Sequence, residues 1–193
     1  MKTTIFAIFL FACMAMAPAS YELPKGWFKA GSDPGKYDMG VDKGSGQDGK
    51  NAATIKSNTD VSNGFGTLMQ NCKPDKYIGK RIRMTAYVKS DNIKGWAGLW
   101  LRVDQNGSNN RLAFDNMEDR AIKGTTNWTK YEIVLDVPEG ASNIAFGALI
   151  SGTGQIWFDQ LSFEVVDSSV KTTGKTNSIT FIPSEPTNLD FQE

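Results

Sequence analysis

Apolar and polar residues alternate over much of the chain with a period of two. The segment 95–105, GWAGLWLRVDQ, shows this most clearly, because every second residue from Ala97 to Val103 is aliphatic. The segments 80–90 and 128–137 follow the same pattern. Successive side chains of a β-strand point to opposite faces, so each segment is predicted to be a strand with one face in a core.

Runs of this kind recur at short intervals and are separated by Gly, Asn, Asp and Pro, which are typical of turns. After the first twenty residues, no run has the apolar spacing of an amphipathic helix. The predicted strands are 26–30, 36–42, 50–57, 64–71, 80–90, 96–105, 110–115, 128–137, 143–151 and 155–166. Many short strands without intervening helices predict an all-β fold, namely an antiparallel two-sheet β-sandwich of the jelly-roll type.

The first twenty residues, MKTTIFAIFLFACMAMAPAS, have the layout of a secretory signal peptide. The apolar run from Ile5 to Met16 is shorter than the ~20 residues that a membrane span needs. We therefore predict a signal peptide over 1–20, cleavage near Ser20, no membrane span, and a secreted, periplasmic or cell-surface protein. Lipid attachment at Cys13 is the alternative, because LFAC loosely resembles a lipobox.

The predicted domain covers 21–166, and 167–193 is a tail rich in Ser, Thr and Pro that is typical of flexible segments. Without the signal peptide, Cys72 is the remaining cysteine, so the domain has to be stabilised without an intramolecular disulfide, by its core or by its core plus a metal ion. The chain has no histidine, which removes the commonest general base and zinc ligand. A formal net charge of zero gives no electrostatic basis for binding nucleic acid.

An acidic residue in an apolar row indicates a candidate metal site. The last predicted strand places Asp159 in the row that begins with Trp157, and a carboxylate that faces a core needs a partner. Amide groups of a loop are one such partner. A structural calcium ion is the other, with Asp42 and Asp48 of the acidic, glycine-rich loop 42–51 as further oxygen ligands. The loop does not have EF-hand spacing, so a plain turn is the alternative.

The second face of 95–105 combines two indoles with a guanidinium and a carboxylate. A sugar ring has an apolar C–H face and a rim of hydroxyls, so it is bound by an aromatic platform with planar hydrogen-bonding groups at its edge. Neighbouring strands add similar side chains, provided that 80–90 pairs with 96–105. The predicted ligand-binding residues are Trp96, Trp100, Arg102, Asp104, Tyr87, Arg83, Arg111, Asp115 and Asn116. The alternative is an indole at position 100 covered by the loop 114–124.

Long blocks of the chain resemble a bacterial module that occurs alone and fused to arabinose-regulator-type transcription factors and some secreted hydrolases. These blocks, which cover about 24–166 and part of the tail, are GWFKAGSDPGKYDMGVDK, GFGTLMQ, GKRIRMTAYVKSDNIKGWAGLWLRVD, FDNMEDRAIKGTTNWTKYEIVLDVPEGASNIAFGALISGTGQIWFDQLSFEVV and PTNLDF. The resemblance implies no particular activity, because the family offers none that could be assigned to this chain.

The closing segment IWFDQLSFEVV is similar to the last strand of galactose-binding-like carbohydrate modules. In such modules an acid of this strand can help to hold a structural calcium ion. Gln160 stands where those modules have a second acid, so Asp159 alone matches the pattern. The resemblance implies a galactose-binding-like jelly roll and favours ligand binding.

The sequence thus predicts a secreted, non-catalytic module that binds a saccharide or another small polar ligand on one sheet face. In this hypothesis Trp100 lies partly in solvent, so Trp100→Ala would leave the stability nearly unchanged. A structural or protein-interaction module of the cell surface is the first alternative. A small glycan-active hydrolase is the second, because glycosidases need two carboxylates and the chain offers Asp104, Asp115, Glu118 and Asp119.

Overall fold

The computed structural model describes residues 21–61, 63–105 and 111–176. The strands are β1 (Phe28–Gly31), β2 (Tyr37–Asp42), β3 (Ala52–Ser57), β4 (Phe65–Cys72), β5 (Lys80–Gln105), β6 (Arg111–Asp115), β7 (Ile122–Val137), β8 (Ala141–Val166) and β9 (Lys175–Thr176). Two 3-10 helices, Pro34–Lys36 and Glu118–Arg120, complete the elements. In the part of the chain described, no helix is long and apolar enough to cross a membrane. The predicted signal peptide, with Cys13 and Ser20, lies outside the described residues.

Two long antiparallel strands, β5 and β8, run through both layers of the sandwich. The second half of β5 pairs with the first half of β8, with Trp96 opposite Ser151, whereas Arg81 in its first half lies opposite Val166. The outer neighbour of β8 changes from β4 to β3 at the same point. We call β1–β4–β8–β5–β6–β9 the front sheet and β2–β3–β8–β5–β7 the back sheet.

Glycines allow both strands to pass from one sheet to the other. Gly95 of β5 lies opposite Gly152 of β8, and their φ angles are 110° and 99°. A Cβ atom at Gly95 would lie 2.2 Å from the carbonyl oxygen of Ser151, and one at Gly152 would lie 2.1 Å from that of Lys94. Positive φ and this close backbone approach both require glycine, so neither position tolerates a side chain.

The condition that 80–90 pairs with 96–105 is not met, because these segments are two halves of β5 and pair with other strands. The predicted strands 143–151 and 155–166 are likewise two halves of β8. The turn-forming residues between the halves bend a continuous strand instead of ending it. The prediction of an antiparallel two-sheet β-sandwich is confirmed.

The core lies between the inner faces of the two sheets. Every second residue from Ala97 to Val103 is 0% exposed, and so is every second residue from Ile82 to Val88, as the alternation predicts. Ile133 of β7 belongs to the same buried cluster. Burial of each large aliphatic side chain stabilises the fold by ~1.5–3 kcal/mol, so these rows hold the sandwich together.

A β-bulge in β8 changes which face its side chains occupy. The strand gains one residue relative to β5 around Gln160, whose φ is 52°. Before the bulge Phe158 is buried in the core, and after it Phe163 packs against the same core. The predicted row that placed Trp157 and Asp159 in the core was therefore wrong, since both lie half-buried on the outer face of the back sheet.

The start of the predicted tail remains in contact with the sandwich. Arg81 donates to the carbonyl oxygens of Ser168 and Val170, and the Thr173 backbone N–H donates to Val134 at 2.9 Å. β9 then pairs with the edge of β6. The predicted tail 167–193 thus includes a described segment that ends at residue 176, whereas 177–193 lies outside the described residues.

Candidate ligand-binding groove

A groove of about 430 Å³ lies on the outer face of the front sheet. Strands β1, β4, β5, β6 and β8 all contribute to it, so its walls come from segments far apart in the sequence. The apolar lining consists of Ala30, Gly31, Phe65, Met69, Trp96, Trp100, Phe114 and Leu149. The polar lining consists of Thr67, Arg102, Arg111, Asn116 and Ser151. A mainly apolar cleft of this size with a few polar groups is typical of small-molecule sites.

Trp100 forms part of the groove floor and is 6% exposed. Its indole belongs to a small apolar cluster with Met69 and Leu149. Its Nε1–H donates to Thr67 Oγ1 at 2.8 Å, and that hydroxyl donates to the carbonyl oxygen of Ala148 at 2.7 Å. The hypothesis that Trp100 lies partly in solvent was wrong, because β4 and β8 supply neighbours that surround the ring.

Trp96 is the more exposed of the two indoles in the groove. It is half-buried and lies opposite Ser151 near the bend of β5. Gly98 separates it from Trp100 along the strand, and the backbone of Asn116 covers that glycine, 3.0 Å from the position of a Cβ atom. Of the two indoles, Trp96 therefore offers the accessible surface, with Trp100 beneath it in the floor of the groove.

Arg102 and Asp104 form an ion pair at the side of the groove next to β6. Arg102 Nε lies 2.8 Å from Asp104 Oδ1, and Asn143 Nδ2 donates to Asp104 Oδ2 at 3.0 Å. The guanidinium carbon of Arg102 is 5.9 Å from the centroid of the Trp100 ring. Arg111 lies 4.9 Å from the ring of Phe114 in the same wall. Asp104 is not a lining residue, but it fixes the orientation of Arg102.

Asp115 does not join the predicted site. It pairs with Leu101 in the sheet, is 6% exposed, and receives Arg120 Nη2 on Oδ2 at 2.7 Å. The Met117 backbone N–H and the Thr173 hydroxyl also donate to this carboxylate. The prediction that placed Asp115 on the ligand-binding face was wrong, because alternation in β6 turns its side chain away from that face.

Tyr87 and Arg83 also lie away from the groove, on the outer face of the back sheet. Arg83 forms ion pairs with Glu132 at 3.3 Å and Glu164 at 3.0 Å. Their predicted place in the site was wrong, because it depended on a pairing between the two halves of β5. On the same outer face, Lys89 Nζ lies 4.3 Å from the ring centroid of Trp157 and 5.4 Å from that of Trp128.

Several groove residues were not predicted from the sequence, because strands other than β5 and β6 supply them. Phe65, Met69 and Thr67 come from β4, and Leu149 comes from β8. One sequence signal does point to them. The run 144–150, IAFGALI, is apolar at nearly every position, and such a run indicates a strand that is covered on both faces. All seven residues of that run are buried.

Asp159 connects β8 to the loop 42–51 through a backbone amide. Its Oδ2 accepts the backbone N–H of Gln47 at 3.1 Å, and its Oδ1 accepts that of Gln160 at 2.7 Å. A loop amide, one of the two alternatives for Asp159, thus occupies one carboxylate oxygen, and the amide of the next residue of β8 occupies the other. Calcium would compete with these N–H donors for the same lone pairs.

The other predicted calcium ligands also have different partners. Asp42 Oδ2 accepts the indole N–H of Trp157 at 2.7 Å, and Asp48 forms an ion pair with Lys50 at 3.1 Å. Hydrogen bonds from Lys50, its backbone N–H first, hold the pKa of Asp48 below the usual value. Among the residues that the structure describes, no group of three or more His, Cys, Asp or Glu side chains is placed to hold a metal ion. These donors do not fit a calcium site.

We expect the melting temperature to be the same in millimolar calcium and in chelator. The reason is that N–H donors and Lys50 already occupy the carboxylate oxygens concerned. A site filled at a thousandfold excess over its dissociation constant would stabilise the fold by ~4 kcal/mol, which thermal melting detects easily. A lower melting temperature in chelator would contradict this assignment and support the calcium hypothesis.

The thiol of Cys72 is a poor nucleophile in this setting. The residue is half-buried at the end of β4 and packs against the core. Burial raises the pKa of its thiol. Because the thiolate is the reactive form, this environment favours a packing role for Cys72.

The chain is similar in sequence to a bacterial regulator. No protein-family model matches the chain. It is 44% identical over 170 residues to the uncharacterized HTH-type transcriptional regulator YbfP of Bacillus subtilis (strain 168), covering 88% of this chain and 57% of that protein. The chain thus spans little more than half the length of this relative.

Two solved structures share the architecture at low sequence identity. One comprises the CBM22-1 and GH10 modules of xylanase 10B from Clostridium thermocellum with xylohexaose, at TM-score 0.54 and 15% identity, covering 76% of this chain and 27% of that one. The other is the CBM22-1 xylan-binding domain of Xyn10C from Paenibacillus barcinonensis, at TM-score 0.52 and 15% identity, covering 77% and 91%. At such identities the similarity concerns the fold, and it agrees with the strand pairing: the chain is an antiparallel β-sandwich.

Proposed function

We propose that this chain is a saccharide-binding module whose ligand lies in the groove on the front sheet. The observation that carries the proposal is the composition of the groove. A half-buried indole, Trp96, adjoins a packed aromatic floor, and the Arg102 guanidinium is fixed at the rim. Aromatic faces bind the C–H face of a sugar ring, and planar donors bind its hydroxyls. The two solved structures with the same architecture, a xylan-binding domain and a xylohexaose complex, support the same class of ligand.

The aromatic floor of the groove is packed in place, so little of it has to become ordered when a ligand binds. The Trp100 indole is held by its hydrogen bond to Thr67 and by packing against Met69. A ligand that enters a preformed groove loses less free energy to ordering of the protein. The structure therefore supports a binding module with a preorganised site.

The hydrolase alternative depends on two carboxylates that face each other across a ligand. Three of the four candidates form ion pairs: Asp104 with Arg102, and both Asp115 and Asp119 with Arg120. These contacts favour a non-catalytic role for the groove, and we propose that role. In the accessory-module alternative the chain binds a partner protein, and the groove holds no saccharide.

A panel of soluble polysaccharides in native affinity gels tests the proposed function. We expect at least one polymer, from a panel that includes xylan, galactan and acidic plant and bacterial polysaccharides, to retard the wild-type protein. Bovine serum albumin run in each gel controls for sieving. Unchanged mobility in every gel would contradict saccharide binding and favour the accessory-module alternative.

The likeness to a transcriptional regulator favours a second setting for the same site. A helix-turn-helix reads DNA with an α-helix, whereas the described residues of this chain form strands and short 3-10 helices. The shared region would then be a part of that regulator which senses a ligand. In this setting the groove binds a saccharide to report its presence.

We propose export of this chain on the basis of residues 1–20, whose composition is that of a signal peptide. Intact-mass measurement on protein recovered from outside the cytoplasm should show loss of about that segment. Retention of Met1, or a diacylglyceryl group on Cys13, would contradict cleavage near Ser20.

A further inference from the structure

The charged side chains in the described lining of the groove are both positive. Its lining contains two arginines, Arg102 and Arg111, and no carboxylate among the described residues. Asp104, just outside the lining, compensates one positive charge through its ion pair with Arg102. The described lining thus offers guanidinium donors and no carboxylate, although the whole chain has a formal net charge of zero.

An ion pair with Asp104 holds Arg102 at the edge of the groove. Asp104 contacts its Nε at 2.8 Å in the geometry of a charge contact, not of an aligned hydrogen bond. Asn143 in turn anchors that carboxylate from β8. The side chain is 37% exposed, and its guanidinium lies over the edge of the groove floor near Trp100. This ion pair places the guanidinium at the edge of the groove, next to the Trp100 ring.

The terminal nitrogens of Arg102 have no hydrogen-bond partner within the described part of the chain. A guanidinium carries two parallel N–H groups that match the two oxygens of a carboxylate. Charge-assisted pairs of this kind are roughly twice as strong as neutral hydrogen bonds. A neutral hydroxyl would use the same donors less well, because it offers one oxygen and no charge.

We propose that the ligand of the groove is an acidic saccharide, whose uronic-acid carboxylate binds the terminal nitrogens of Arg102. This inference rests on the proposed function and narrows its ligand class. The sugar ring that carries the carboxylate, or its neighbour in the chain, packs on the aromatic surface that includes Trp96. Asp104 is a positioning residue, since it acts through Arg102.

Matched pairs of polymers test this inference. Polygalacturonate, glucuronoxylan and alginate are each compared with their carboxyl-reduced, neutral counterparts in native affinity gels. We expect at least one acidic polymer to bind at least tenfold more tightly than its reduced form, and this difference to shrink as salt is added. Dextran sulfate serves as a polyanion without carboxylates and should bind weakly.

The variants locate the effect. Arg102→Met should lower the affinity for the acidic polymer to that for its reduced counterpart, and Arg102→Lys should restore only part of it because lysine lacks the planar fork. Asp104→Asn should weaken binding less than Arg102→Met does. Arg83→Met, on the back sheet, is the matched control and should bind like wild type. Thermal melting of each variant verifies that it is folded.

The outcomes separate the two claims. Equal binding of acidic and reduced polymers, or binding of neutral polymers alone, would overturn the carboxylate inference and leave saccharide binding intact. Dextran sulfate that binds as tightly as the acidic polymers would also overturn it, because the groove would then attract any polyanion. Absence of binding to the whole panel would overturn the inference together with the proposed function.

Discussion

Trp100→Ala should lower the free energy of unfolding by about 3–5 kcal/mol, the range for truncating a large buried aromatic residue. The indole is 6% exposed, so its removal leaves a cavity next to Met69 and Leu149. It also leaves the Thr67 hydroxyl without the donor that now lies at 2.8 Å. Urea denaturation monitored by circular dichroism measures the change.

Trp100→Phe is the control that separates packing from hydrogen bonding. Phenylalanine retains most of the apolar contact and loses only the Nε1–H group, so the cost should be nearer the ~1–3 kcal/mol of a lost buried hydrogen bond. A change within about 0.5 kcal/mol for Trp100→Ala, as for an ordinary surface substitution, would mean that the indole is not packed into the sheet.

Asp115→Ala should be similarly destabilising, by about 3–5 kcal/mol, because it breaks a buried ion pair from one side. Asp115 receives two nitrogens of Arg120, at 2.7 and 3.2 Å, along with the Met117 backbone and the Thr173 hydroxyl. The carboxylate thereby joins β6, the following 3-10 helix and the start of the tail. Chemical denaturation of both proteins gives the difference.

Asp119→Ala provides a matched control on the same arginine. Asp119 pairs with Arg120 at 2.9 Å, but its side chain is 76% exposed. Exposed ion pairs contribute ~0–1 kcal/mol, so this variant should unfold nearly as wild type does. Equal effects of the two substitutions would show that Asp115 does not connect the three segments.

Local alternation was sufficient to predict the fold class and its core. The rows from Ala97 to Val103 and from Ile82 to Val88 follow directly from a period of two, because a strand of a sandwich has one buried face. Alternation does not reveal whether a run of turn-forming residues ends a strand or bends it. Gly95 and Gly152 bend β5 and β8, because their backbones approach more closely than any Cβ would allow.

The part of the candidate site that was predicted from the sequence lies on β5 and on or just after β6, including Arg111 and Asn116. Trp96, Trp100 and Arg102 share the outer face of β5 and line the groove together, as their spacing indicates. The contribution of β4 depends on pairing across β8, which no local pattern specifies. For the same reason the burial of Trp100 could not be predicted, since Thr67 lies two strands away.

Binding by Trp96→Ala tests the central claim most directly, because this indole is half-buried in the groove and can be removed at modest cost to stability. Trp128→Ala, a half-buried indole on the back sheet, is its matched control. Both proteins are titrated with the polysaccharide that retards the wild type. We expect at least a tenfold loss of affinity for Trp96→Ala and wild-type affinity for Trp128→Ala, since aromatic anchors dominate recognition. Wild-type affinity of a folded Trp96→Ala protein would contradict the central claim.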